Sequence, residues 1–164
     1  MFSLTFNVGG FSLNRLKDQL QEKQIGLNPS AEKLFTDSRL ILSQEPHLVT
    51  LKILTIAELN LTTTATLPNI LLSAQEQGYK LCPLETAIYC RLFWQNQPIS
   101  DDQAMHRHKA PDSAVTIASP ITSTDVNQPK GFYIRHVNNR LWLRGYICDD
   151  DFIWQQENLF AFQK

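Results

Sequence analysis

The segment "FYIRHVNNRLWLRGYI" (residues 132–147) constrains this chain more than any other. Two runs rich in β-branched and aromatic residues flank Asn138-Asn139, and asparagine tolerates the positive φ angles that a two-residue hairpin turn demands. A turn of that length also fixes the register: Val137 faces Arg140, Arg135 faces Trp142 and Tyr133 faces Arg144. Side chains alternate along a strand, so Phe132, Ile134, His136, Leu141, Leu143 and Ile147 form a core face. The other face carries Tyr133, Arg135, Arg140, Trp142, Arg144 and Tyr146.

The rest of the chain supplies elements for this hairpin to pack against. In "SLNRLKDQLQEKQIG", Ser12 reads as an N-cap, Leu13, Leu16 and Leu20 share a helix face, and Gly26 reads as the stop. "NPSAEKLF" gives a second, short helix, with Asn28 as cap and Pro29 in its first turn. "RLILS" and "HLVTLKILTI" read as strands. In "TATLPNILLSAQEQG" the stripe Leu67, Ile70, Leu71, Ala74 marks a helix capped by Thr64 or Thr66 and ended by Gly78.

After Pro83, "AIYCRLFWQ" alternates and reads as a strand, with Cys90 beside Ile88, Leu92 and Trp94 in the core. Residues 95–112 read as a long exposed polar loop. "SAVTIASPI" and the closing "NLFAFQK" read as further strands.

Composition narrows the function classes. The net charge is −1, whereas a nucleic-acid-binding surface needs a basic excess to displace counterions, so nucleic acid is not the expected partner. Cys82, Cys90 and Cys148 cannot all pair within the chain, and none of their spacings is CxxC, so they read as reduced thiols of a cytoplasmic protein. "MFSLTFNVGGFSL" lacks the basic start of a signal peptide, and no apolar run approaches the ~20 residues that span a bilayer. A soluble protein without a membrane partner is expected.

Several short motifs occur in order: "ILTIAEL" (53–59), "GYKLCPLE" (78–85), "RLFWQNQP" (91–98), "IASPI" (117–121), "LWL" (141–143) and "LFAF" (159–162). By these the last two-thirds of the chain resembles a group of bacterial proteins with no established activity. Those proteins carry Gly where Asn60 stands and Gly-Pro where Thr86-Ala87 stand. The resemblance implies a shared α+β fold and no particular function.

The candidate chemistries weigh as follows. A catalytic thiol needs a base or a helix N-terminus to lower its pKa, and Cys82 instead follows a helix C-terminus. His106 and His108, two apart in "HRHK", are weak metal candidates with Asp101, Asp102 and Asp112 nearby, but no zinc-site spacing supports them and no metal or other cofactor is expected. "CDDD" (148–151) lacks the calcium-loop pattern, and consecutive carboxylates do not converge on one atom.

The Arg/aromatic face of the hairpin remains: Tyr133, Arg135, Trp142 and Arg144. Arginines interleaved with aromatic rings either stabilise a sheet face or serve as a recognition platform, since Arg, Trp and Tyr dominate binding hot spots. The reading is one domain over residues 1–164, with a helical part, 1–45, packed on an α+β core, 46–164. The sheet is expected to hold about five mainly antiparallel strands, with two or three helices on one face. The expected function is a non-enzymatic interaction module that presents this face, solvent-exposed, to a protein partner or an anionic ligand. The alternative is a hydrolase using the acidic and histidine-bearing loops 101–112 and 148–151.

Overall fold

In the computed structural model, which describes residues 1–61, 65–101 and 110–164, one mixed sheet of seven strands organises the chain. The strands are β1 (Phe2–Val8), β2 (Gly26–Leu27), β3 (His47–Thr55), β4 (Val115–Ile117), β5 (Gly131–Val137), β6 (Arg140–Tyr146) and β7 (Leu159–Gln163). They lie in the order β1-β3-β7-β4-β5-β6-β2. β4 pairs parallel with β7 and β2 parallel with β6; the other neighbours are antiparallel. The helices are α1 (Leu13–Glu22), α2 (Pro29–Leu34), α3 (Leu67–Glu76) and α4 (Leu84–Phe93).

The class is α+β, but the sheet is larger than the expected five strands because residues 1–45 supply both of its edges. The helices also cover two faces rather than one. β7 and the end of β3 are apolar on both sides: Leu51, Ile53 and Ala161 pack into the core that contains residues of α1, α2 and α4, while Leu54, Phe160 and Phe162 pack with α3. A strand buried on both sides needs a layer on each.

The segment 84–93 is helix, not strand. Every side chain from Leu84 to Arg91 is buried, so no polar face reveals the 3.6-residue period, and the apolar residues two apart mimic a strand. Pro83 stands at the N-cap position with φ −52. At the first turn, buried Glu85 accepts from the backbone N and Oγ of Ser43. At the last, Arg91 donates to the carbonyl of Trp94, where the helix dipole favours a cation. Cys82 and Cys90 are core thiols, as expected.

Other expectations change in detail. "RLILS" forms no strand; Arg39 instead pairs with Asp37 and donates to the carbonyls of Pro120, Pro129 and Lys130, while Ser43 O accepts from Gly10 N. α1 ends before Gly26, where Gln24 takes the left-handed turn at φ 55, and Gly26 lies in β2. Ile147 falls beyond the end of β6 and is exposed. In the loop after α4, Gln97 and Ser100 are buried rather than exposed. Gln97 accepts from Arg91 and donates to the carbonyls of Ser113 and Ile134. Thr66 caps α3; Thr64, the other cap candidate, lies outside the described residues.

Candidate functional site

The hairpin forms as its sequence dictates. Asn138 and Asn139 have φ 51 and 58, as a type I′ turn requires. Val137 pairs with Arg140, Arg135 with Trp142 and Tyr133 with Arg144. Phe132, Ile134 and Leu143 are fully buried on the expected core face.

The opposite face divides by depth. Tyr133 is buried and Arg135 is 1% exposed, against the expectation that Arg135 stands in solvent. Its guanidinium donates to Ser100 Oγ at 3.2 Å, and Ser100 N donates to His136 O at 2.7 Å, so the chain after α4 holds this end of the hairpin. Sequence alternation assigns a side to Arg135 but does not reveal that a distant loop covers that side. Burial also pushes the Tyr133 hydroxyl above its usual range, an effect opposed by Arg144, which hydrogen-bonds to it.

The part that reaches water is Arg140, exposed, with Trp142 and Arg144, each half-buried. The Arg140 guanidinium lies 4.7 Å and the Arg144 guanidinium 5.0 Å from the Trp142 ring centroid. Each such contact is worth about 0.5–1 kcal/mol at an exposed site. Trp142 rests on Gly26, its partner in β2: a Cβ there would stand 2.6 Å from Cδ2 and Cζ3 of the indole, and nearer still to Cε3. Arg140 is steered by its Nε, which donates to Gln24 O at 3.2 Å. Among the described residues neither Arg140 nor Arg144 forms an ion pair.

Arg140 also borders a groove of about 1010 Å³ between α1, α2 and the hairpin turn. Lys17, Lys23 and His136 line it, with Glu32 its sole carboxylate among the described residues. Lys17 and Lys23 lie far from the hairpin in the chain, and nothing in their local pattern marks them out; only β2 pairing with β6 brings them to Arg140.

A second cavity, of about 500 Å³, lies on the Tyr133 side of the sheet. Ala110 and Pro111 line it together with Cys148 and Asp149, so described parts of the loops 101–112 and 148–151 meet there. His106, His108 and Asp102 lie outside the described residues. No histidine or lysine among the described residues lines the cavity. Burial pushes the Cys148 thiol up to about 11, which keeps it protonated at neutral pH. Among the described residues, no three or more His, Cys, Asp or Glu gather where a metal ion could be held, and no helix is long and apolar enough to cross a membrane.

Compared with protein-family models, curated proteins and solved structures, the chain matches none of them.

Proposed function

We propose that this protein is a non-enzymatic interaction module that binds an anionic ligand or an acidic stretch of a partner protein through Arg140, Trp142 and Arg144. The observation that carries this reading is a half-buried indole flanked by two guanidiniums, neither ion-paired among the described residues. Two cations near one ring repel each other, and a bound carboxylate or phosphate relieves that repulsion while gaining charge-assisted hydrogen bonds. Lys17 and Lys23 extend the positive surface along the groove. Arg135, part of the face expected from sequence, supports the hairpin from inside.

The test is fluorescence anisotropy with a labelled hexaglutamate peptide, with inorganic pyrophosphate as competitor. Binding should weaken at least about tenfold in Arg140→Ala and in Trp142→Ala, and should fall with added salt. Affinity unchanged in both variants would reject the reading, as would a preference for single-stranded DNA over the peptide. The hydrolase alternative rests on the cavity where the two loops meet. It stands second because, among the described residues, Asp149 is the only carboxylate lining that cavity and no histidine or lysine joins it; ester hydrolysis abolished by Asp149→Asn would restore it.

A further inference from the structure

The two ends of the sheet are built differently. β2 is two residues long and lies in the short stretch between α1 and α2, which limits the edge it offers. β1 is seven residues long and, among the described residues, pairs only with β3, so alternate backbone N–H and C=O groups point away from the sheet. Its sequence, FSLTFNV, contains no charge, no proline and no glycine. Natural edge strands are guarded by charges, prolines, bulges or shortness, and β1 has none of these.

The side chains of β1 are sorted by face. Phe2 meets Trp94 edge-on and Phe6 stacks on Phe93 at the end of α4, with ring centroids 5.4 and 5.2 Å apart. Leu4 and Val8 share that face by alternation. Phe2 is 41% and Phe93 52% exposed, so this apolar edge is incompletely covered. Ser3, Thr5 and Asn7 point to the other face and are exposed.

We infer that β1 is an interface strand that pairs antiparallel with β1 of a second copy of this chain, about a two-fold axis at Thr5. In that register Phe2 meets Val8, Ser3 meets Asn7, Leu4 meets Phe6 and Thr5 meets its own counterpart. Apolar side chains then oppose apolar ones, polar oppose polar, and no like charges are brought together. A shift by one residue turns the apolar set of the second copy to the opposite face, and a shift by two shortens the ladder. The strand is thus complementary to itself in the one register that uses its full length, as a two-fold interface requires. The result is strand addition, with the sheets of two copies made continuous.

The experiment is sedimentation velocity across the micromolar range on the wild type, Thr5→Val and Thr5→Lys, with circular dichroism to confirm folding. The wild type should rise from 18.8 kDa toward twice that mass, and Thr5→Val should follow it. Thr5→Lys, which sets two ammonium groups face to face at the axis, should raise the dimer dissociation constant at least tenfold. Independently, Thr5→Cys should form a disulfide-linked dimer under mild oxidation. A wild type that stays at the monomer mass overturns the inference and leaves the edge to a strand of another protein. A dimer indifferent to Thr5→Lys, or a Thr5→Cys variant that does not cross-link, also overturns it.

Discussion

Replacing Gly26 by alanine tests how the recognition surface is built. The added Cβ would stand 2.6 Å from two indole carbons of Trp142, whereas ordinary carbon contacts begin near 3.5 Å, so the ring must move by about 1 Å. Trp142 is half-buried and can swing outward, but only by disturbing its contacts with Arg140 and Arg144. Overpacking of this kind costs about 1–3 kcal/mol, to which loss of both cation–π contacts adds about 1–2 kcal/mol. For a chain of this length, roughly 2–4 °C of melting temperature accompany each kcal/mol, so a fall of about 4–20 °C is expected.

The measurements are calorimetry and urea unfolding, with affinity for the hexaglutamate peptide alongside. Gly131→Ala is the internal control, because a Cβ there meets its nearest neighbour at 3.5 Å, an ordinary contact. It should be neutral or slightly stabilising, since glycine in a strand carries an entropic penalty. In Gly26→Ala/Trp142→Ala the clash partner is gone, so the double variant should lose less stability than the single losses added together. If Gly26→Ala and Gly131→Ala behave alike, or if the double variant is additive, Trp142 is not seated on β2 and the argument fails.

Two further outcomes follow from buried groups. Burial pushes the Cys90 thiol from its ordinary value of 9.0 up to about 12 and raises Cys82 as well, so both stay protonated in the folded chain after the unfolded chain has begun to ionise. The unfolded state then binds fewer protons, and stability is full below pH 9 and falls as pH rises beyond it. At pH 10 the loss is on the order of 1 kcal/mol for each thiol. Arg91, held at about 10 by burial, acts in the opposite sense but offsets only a small part of this loss there. Urea midpoints between pH 8 and 10 should drop in the wild type and drop less in Cys82→Ala/Cys90→Ala; parallel slopes would refute this.

Asn28 has a double task. Its Oδ1 accepts from Ala31 N and from Gly145 N, and its Nδ2 donates to Gly145 O, so it caps α2 and ties that helix to β6. Asn28→Ala should cost about 2–4 kcal/mol, the sum of a lost cap and two lost hydrogen bonds, read by chemical denaturation. A cost of only the ~1 kcal/mol of a cap would show that the tie to Gly145 adds nothing.

Some of this architecture is written locally. The register of the hairpin, the Ser12 and Asn28 caps, and the stripe Leu67, Ile70, Leu71, Ala74 could be read from residues within a few positions of one another. α4 could not. From Leu84 to Arg91 it is buried on all sides, and a period can be read only where polar and apolar faces differ. Nor could the edges: β2 is two residues long, too short to carry a pattern, yet its pairing with β6 builds the seat under Trp142.

The candidate site shows the same division. By itself the sequence determined that Tyr133, Arg135, Arg140, Trp142 and Arg144 share a face, because alternation and a two-residue turn are local consequences of backbone geometry. Only the tertiary structure decided which of them meet water. Ser100 holds Arg135 inside, Gly26 admits the indole, and Gln24 O steers Arg140 toward the groove that Lys17 and Lys23 line. Burial depends on what distant segments bring to a surface, and no local period records that.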